Sequence, residues 1–381
     1  MRLKYVTNKI VHKIRNRILL KMYLKQNIQE ILEIKLNSDL LEQRWSYRSA
    51  NCYIFERSKS DLRENIDLSI IIPLYNSEKY IDSCMHGVLE QKTKYNYQII
   101  LVNDGSKDCT YAMVKEYEKS NPDKVLVINQ SNKGISVARN AGLKMASGRY
   151  LAFVDHDDIV SENMVERLLE TAYSQNADIV KAAYANVKNG KIKSIQEQSD
   201  IVIEGDMRDK LFDYRSYIFP GVYKKELFEH VQFPVGYWYE DMIIRTLIYR
   251  QSRKFVHISD VLYYKNFHER NASFVVWNLK NYKCLEQLYL VINMIEDNRK
   301  LGLVEDVWFY QCIMRELSGL LVQRTRELDS YTRQLTFLKA CSILEELYRE
   351  EYELMLSDEN RLWQRVFANR EYKLWQLLGG K

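Results

Sequence analysis

Short apolar runs alternate with helical segments between residues 68 and 187, and this alternation constrains the fold of the 381-residue chain more than any other feature. Strands that are apolar almost throughout, and that are separated by helices, are typical of a mainly parallel sheet with helices on both faces. The pattern therefore predicts an α/β, Rossmann-like fold. The predicted strands are LSIIIPL (68–74), YQIILVN (97–103), KVLVINQ (124–130), RYLAFVD (149–155) and ADIVKAAYANV (177–187).

Helices are predicted between these strands, at about residues 77–91, 108–121, 134–146 and 161–175. Ser77, Ser106 and Ser161 stand where a helix N-cap is expected, because a serine hydroxyl accepts a hydrogen bond from an N-terminal backbone N–H. These segments predict a central domain at 66–275. A basic helical segment at 1–65 precedes it and a helical region at 276–381 follows it.

The first 29 residues contain eight charged side chains, all of them Lys or Arg, and the first acid is Glu30. Apolar residues recur among them at helical spacing, which indicates a basic amphipathic helix. Such a helix can bind an anionic membrane surface, where each cation contributes on the order of 1 kcal/mol. The alternative is a helix that packs on the main domain with its lysines in water.

Composition narrows the function classes. A hydrophobic content of 46% indicates a globular protein, and a net charge of +5 is too small to indicate nucleic-acid binding. The six cysteines form no CxxC pair, which favours free thiols in a reducing compartment. No apolar run approaches the roughly 18–20 residues of a membrane span. We therefore expect a cytoplasmic location, peripheral at the inner face of the cell membrane if the basic helix binds there, and the oligomeric state stays open.

The predicted strands end in polar residues, and the fourth ends in an acidic cluster that includes Asp155 and Asp157. Ligands bind at the carboxyl ends of parallel strands, where Asp104 ends the second strand. Carboxylates gathered at one edge repel each other unless a cation is present, and their oxygens suit Mg²⁺ or Mn²⁺. The pattern predicts a divalent-metal site, and the alternative is an N-cap and turn before the next helix.

Four motifs in order resemble glycosyltransferase family 2, whose members have the GT-A fold. The resemblance covers about residues 67–275. It implies an inverting enzyme that uses a nucleotide-diphosphate sugar and a divalent metal. The motifs are SIIIPLYNSEKYI, ILVNDGSKDCT, NKGISVARNAGLKMASGRYLAFVDHDD and YEDM.

For the nucleotide, the resemblance implies that Pro73 contacts the base through its backbone and that Tyr75 stacks on it. Asp104 would accept from a base N–H. Many relatives have two acids there, whereas Asn103 precedes Asp104 in this chain. Arg139 matches a position near the base or phosphate, and the alternative for it is a surface helix arginine.

For the metal, the resemblance implies that Asp157 binds the ion directly and that Asp155 contacts the ribose or a metal-bound water. In the later loop YYKNFHERNASF, His268 would join the metal and Arg270 would meet the diphosphate. The alternative for His268 is an exposed loop histidine.

For the chemistry, the resemblance implies that Asp241 is the general base for the acceptor hydroxyl. Glu240 would orient Asp241 or bond the acceptor, and Trp238 would stack on a sugar face. The alternative for Asp241 is an acid that complements the helix dipole, and the alternative for Trp238 is an ordinary core aromatic.

The leading hypothesis is a glycosyltransferase that moves a sugar, from a UDP-sugar by resemblance, to a saccharide or lipid-linked acceptor in cell-surface polysaccharide synthesis. The first alternative is a non-catalytic GT-A-like binding or scaffold protein. Such a protein would be expected to lose some of the acids that this chain retains, which are Asp104, Asp155, Asp157 and Asp241. The second is a phospho-acceptor receiver domain, which does not account for the YEDM motif.

Overall fold

The computed structural model describes residues 65–196, 199–205, 214, 217–268, 271 and 282–380. The predicted basic helix within residues 1–29 and Arg270 lie outside the described residues. The chain divides into two compact units. The sheet unit comprises Arg48–Asn278 and Tyr289–Cys312, and the helical unit comprises Met1–Tyr47, Leu279–Leu288 and Ile313–Lys381.

The sheet unit is built on one mixed sheet, whose described strands run in the order β3-β2-β1-β4-β9-β6-β10-β5, with β7 on β6 and β8 on β10. Strands β1 to β4 are mutually parallel, and β9 is inserted antiparallel between β4 and β6. The strands are β1 Leu68–Leu74, β2 Tyr97–Asp104, β3 Val125–Gln130, β4 Tyr150–Phe153, β5 Ile159–Val160, β6 Ile179–Lys188, β7 Lys191–Gln196, β8 Ile201–Glu204, β9 Gly221–Lys224 and β10 Lys254–Asn266.

Burial explains why the strand prediction succeeds. Every residue of β1 and of β2 is buried, as expected for central strands covered on both faces. The covering helices of the first half are α1 Ile81–Leu89, α2 Thr110–Ser120, α3 Ile135–Met145 and α4 Met164–Ser174. The predicted α/β fold, with helices flanking a central sheet, is confirmed.

The three predicted serine N-caps are wrong. The capping positions of α1, α2 and α4 are Tyr80, Cys109 and Asn163, and none of these side chains caps its helix. Each predicted serine lies in the preceding turn instead. Ser106, for example, accepts a hydrogen bond from the Asn76 backbone N–H at 3.0 Å, so its hydroxyl ties two strand-end turns together.

The sheet unit continues, after the candidate-site segment, into a π-helix at Ile244–Ile248 and α5 Tyr249–Gln251. Helices α6 Glu286–Lys300 and α7 Val307–Arg315 come next in the chain. Of these, residues 289–312 cluster with the sheet unit, although the sequence pattern assigned them to the C-terminal region. The domain boundaries at 65 and 275 stay a prediction. Short 3-10 helices lie at Lys225–Phe228 and Tyr282–Leu285.

The helical unit has an aromatic core of its own. Trp375 is fully buried, packs 5.2 Å from the ring of Phe337, and donates its indole N–H to the Leu317 carbonyl at 3.1 Å. Its helices, besides the π-helix Glu316–Leu320, are α8 Leu321–Thr325, α9 Ser330–Leu347, α10 Tyr352–Met355, α11 Asp358–Ala368 and α12 Tyr372–Gly379.

Two further observations concern the described residues only. None of the five cysteines among them is in a disulfide bond. None of their helices combines the length and the apolar character that crossing a membrane requires.

Gly148 connects α3 to β4 and lies against the first residues of β1, donating its N–H to the Ser69 hydroxyl at 2.8 Å. An added Cβ would lie 2.4 Å from the Ser69 backbone nitrogen and 2.6 Å from the Leu68 carbonyl carbon. Because both are backbone atoms of a buried strand, we expect Gly148→Ala to lower the free energy of unfolding in urea by about 1–3 kcal/mol.

The control is Gly319→Ala, where the nearest atom would be 3.8 Å away and overpacking is absent. If both variants lost the same free energy of unfolding, contact with β1 would not be what excludes a side chain at position 148.

Candidate functional site

The carboxyl ends of β2, β1 and β4 lie side by side at one edge of the sheet, as the parallel pairing requires. Pro73 is buried near the end of β1, opposite Val102, whereas Tyr75 just beyond the strand is 43% exposed. An aromatic face is therefore available at this edge, next to a rigid backbone.

Asp104 ends β2 and is almost completely buried. One of its oxygens accepts from the Gln130 amide at 2.7 Å and from the Lys133 N–H at 2.9 Å, and the other accepts from the Gly134 N–H at 2.8 Å. The carboxylate thus holds the loop that leads into α3. Since a carboxylate has about four acceptor positions, one remains for a ligand.

The neighbouring residues explain the sharp turn after Asp104. Gly105 has φ +68°, and a Cβ there would lie 2.6 Å from the Asn132 backbone nitrogen, so a side chain is excluded. Asn103, which stands where many relatives have an acid, donates its amide to the Asn129 side chain at 2.7 Å. It ties β2 to β3.

Residues 155–158, here called the acid turn, follow β4. Asp158 is buried and accepts from the Tyr263 hydroxyl and from the Asn266 N–H, both at 2.7 Å. Burial, reinforced by the charges of Asp155 and Asp157, raises the pKa of Asp158 well above its usual value. This third carboxylate fastens the turn to β10 and is turned away from solvent.

Asp157 meets the loop after β10. Its Oδ2 lies 2.9 Å from His268 Nε2 and accepts from the Asn271 amide at 3.0 Å. The His268 ring stacks on Tyr80, with centroids 4.7 Å apart and planes 10° apart. His268 is therefore held over Asp157 and is not a free surface histidine.

Arg139 lies on α3 and is only 3% exposed, so the surface alternative is excluded. Its Nη1 donates to Glu240 at 2.6 Å and its Nη2 donates to Asp155 at 3.1 Å. Burial lowers the pKa of Arg139, but Glu240 and Asp155 more than offset this effect and the pKa is raised. One guanidinium thus joins two motifs that are 85 residues apart in sequence, from 155 to 240.

The segment that carries Glu240 and Asp241 is irregular. Tyr239 has φ +67°, an uncommon conformation for a residue with a side chain, and helical structure begins at residue 242 and passes into a π-helix. Both features are enriched at functional sites. Trp238 is partly exposed and meets the Tyr239 ring edge-on at 6.5 Å.

Comparison with known proteins decides the family. The model of "Glycosyl transferase family 2" matches residues 69–235. The glycosyltransferase GlyG of Streptococcus pneumoniae is 33% identical over 213 residues, which is 51% of this chain and 69% of GlyG. The chain belongs to glycosyltransferase family 2.

Other relatives are matched over less of their length. The minor teichoic acid biosynthesis protein GgaB of Bacillus subtilis is 30% identical over 218 residues, which is 55% of this chain but only 24% of GgaB. GlyA of S. pneumoniae is matched over 35% of its length. The crystal structure of S. aureus TarS 1–349 in complex with UDP-GlcNAc has a TM-score of 0.64 at 17% identity, covering 83% of this chain and 91% of that one. It shares the fold.

The predicted family, the GT-A fold and the enzyme class are confirmed, and the receiver-domain alternative is excluded. Within this family-2 chain, hydrogen bonds hold several of the described candidate residues. Asp104 holds the start of α3, Arg139 on α3 joins Asp155 to Glu240, and Asp157 meets His268. Asp155, Asp157 and His268 are the side chains that could hold a metal, although the described residues contain no ready-made cluster of three metal-binding groups.

Sequence reasoning missed the partners that hold these groups. The structural role of Asp158, the stacking of Tyr80 on His268 and the contact of Asn271 with Asp157 had no signal in a single sequence. Each depends on which side chains the fold brings together, and local periodicity carries no such information.

The acid turn of this glycosyltransferase yields a prediction. The buried Tyr263 hydroxyl donates to Asp158 and accepts from the Asp155 N–H at 3.1 Å. Tyr263→Phe keeps the ring but leaves both groups without this partner, so we expect the free energy of unfolding in urea to fall by about 1–3 kcal/mol.

The matched control is the neighbouring Tyr264→Phe. Tyr264 is partly exposed, and its hydroxyl bonds nothing in the part of the chain that the structure describes, so stability should stay within about 0.5 kcal/mol of wild type. If Tyr263→Phe were as stable as this control, the hydroxyl would not hold the acid turn.

Proposed function

We propose that this chain is an inverting, metal-dependent glycosyltransferase. It moves a sugar from a UDP-sugar to a saccharide or lipid-linked acceptor in cell-surface polysaccharide synthesis. The observation that carries the proposal is the ion-pair bridge from Asp155 through Arg139 to Glu240. It joins the acid turn, which would face the donor, to the residues beside Asp241, which would face the acceptor.

The donor would occupy the edge formed by β1, β2 and β4. Tyr75 offers an exposed ring for stacking on a base, Pro73 a fixed backbone, and Asp104 one remaining acceptor position for a base N–H. Uridine is favoured by the family resemblance and by the UDP-GlcNAc that TarS binds. The name of GgaB supports a polymer of the teichoic-acid kind as the product class.

The residues present fit a divalent cation. Ligands about 2.1 Å from an octahedral ion lie about 3 Å apart when adjacent. Asp157 Oδ2 and His268 Nε2 are 2.9 Å apart, which matches this spacing. Mn²⁺ suits this mixed oxygen and nitrogen set better than Mg²⁺. When bound, the ion would supply positive charge opposite the departing diphosphate.

In the proposed reaction, the acceptor oxygen attacks C1 of the sugar from the side opposite the diphosphate. The acceptor O–H proton passes to the Asp241 carboxylate, the C1–O bond to the diphosphate breaks, and the electron pair leaves with the nucleotide. Glu240 is held by Arg139, so it contributes by fixing the residue next to the base. Trp238, beside this segment, offers a partly exposed face for an acceptor sugar.

The test is nucleotide release from a panel of UDP-, GDP- and dTDP-sugars by the full chain with Mn²⁺. Asp241→Asn removes the base, and we expect turnover to fall by about 10²- to 10⁴-fold. Asp157→Asn should weaken Mn²⁺ binding, measured by the paramagnetic resonance of free Mn²⁺. The control is Asp260→Asn, a carboxylate whose ion-pair partner is Arg167 on α4, and it should leave both readouts unchanged.

A panel without binding or turnover of any donor would instead support a non-catalytic GT-A-like protein. The anomeric configuration of the product, measured by proton NMR, tests inversion separately. A product that keeps the donor's configuration would exclude the single-displacement step with Asp241 as base.

A further inference from the structure

Helix α3 contacts the segment that leads to Asp241 at a second point. The Asn140 amide donates to the Phe233 carbonyl at 2.9 Å, and its carbonyl oxygen accepts from the Phe233 N–H at 2.8 Å. Both hydrogen bonds are buried, and together they satisfy the donor and the acceptor of one backbone residue. An amide side chain used in this way holds an irregular segment as a neighbouring strand would.

Arg139 contacts the same segment at its other end. Its guanidinium donates to Glu240 and lies 5.4 Å from the ring centroid of Phe233. Residues 233–241, here called the base segment, are thus held at their first residue by Asn140 and near their last by Arg139. Between these points the segment includes Gly236 with φ +85° and Tyr239 with φ +67°, and it has no helix or strand of its own.

Helix α3 is itself fixed to the donor side of the sheet. It packs on β1 and β2, and its Gly142 lies so close to Ile71 that a Cβ would be 2.4 Å from the Ile71 Cγ2. Its first turn is reached through Gly134, whose N–H is bonded by Asp104. A displacement of α3 would therefore disturb the strands that form the proposed donor edge.

We propose that Arg139 and Asn140 are positioning residues that hold the base segment at a fixed distance from the acid turn. The pair sets where the Asp241 carboxylate stands relative to the sugar that is transferred. This inference rests on the proposed function. It differs from the role that the family resemblance implies for Arg139, because both terminal nitrogens of the guanidinium are already bonded to carboxylates.

The two roles predict different kinetics. An arginine that binds the nucleotide raises the KM for the donor when it is removed. A positioning residue lowers kcat with the donor KM unchanged, because the nucleotide contacts remain while the base is misplaced. Misplacement by about 1 Å can cost about 100-fold in rate.

The experiment compares Arg139→Met, Asn140→Leu and the double variant in the full chain, using the UDP-sugar that wild type turns over. We expect kcat to fall by about 10- to 100-fold in each single variant, with the donor KM unchanged. The double variant should fall by less than the product of the two single effects, because both residues hold one segment.

The control for lost stability is Lys224→Met. It breaks a partly buried 2.6 Å ion pair with Asp178, at the end of β9 that faces away from the acid turn. This variant should lose stability and keep its kcat. A rise in donor KM with kcat retained in the Arg139 and Asn140 variants would overturn the inference in favour of nucleotide binding. A fall of kcat in Lys224→Met as large as theirs would also overturn it, because general destabilisation would then explain the effect.

A second readout does not need turnover. Amide hydrogen exchange followed by mass spectrometry should be faster across residues 233–241 in Arg139→Met and Asn140→Leu than in wild type and in Lys224→Met. Unchanged exchange in that segment would overturn the inference even if no donor were turned over. Absence of turnover in wild type with exchange that changes as expected would count against the proposed function alone.

Discussion

A buried arginine needs partners that compensate its lost hydration, and Arg139 has two carboxylates, Asp155 and Glu240. Removing one partner of such a group costs on the order of 3–5 kcal/mol, because the remaining charges stay buried and uncompensated. The ion-pair bridge therefore makes folding of the acid turn and folding of the residues beside Asp241 interdependent. The folded chain is therefore stable only when this part of the site has its observed geometry, and the two motifs do not reach their positions independently.

The same dependence explains how an irregular segment can be held in one conformation. A residue with a side chain held at φ > 0 costs on the order of 1–3 kcal/mol, so this conformation persists only where surrounding contacts fix it. Tyr239 and the π-helix at Ile244–Ile248 flank Glu240 and Asp241. The buried bonds of Arg139 and Asn140 supply the compensation, and they come from a helix that is packed on the central strands.

The sequence predicts the parts of this molecule that depend on local pattern. Strand β1 agrees with the prediction residue for residue, because a buried central strand is apolar throughout. Helix starts are less predictable: the Ser106 hydroxyl accepts from the Asn76 N–H, the Ser77 backbone N–H donates to the Thr110 hydroxyl, and neither serine side chain caps a helix. The antiparallel insertion of β9 had no local signal, because its residues 221–224 are too few to show a period. The sequence motifs point to Asp104, Asp155 and Asp241, whose roles stay predictions, and the partner of each acid depends on tertiary contacts.

The acidic cluster shows how three carboxylates within four residues can serve two purposes. Asp158 is turned inward, and its two oxygens accept from Tyr263 and Asn266, so its lone pairs are used to join the turn to β10. Asp155 and Asp157 stay partly exposed and face Arg139 and His268. Because Tyr263 also accepts from the Asp155 N–H, the inward acid fixes the backbone from which the outward acids project. The three like charges at this edge are compatible because each carboxylate has a different partner. Asp158 is buried and bonded by the protein, Asp155 is paired with Arg139, and Asp157 lies beside His268, where the proposed cation would be a further partner.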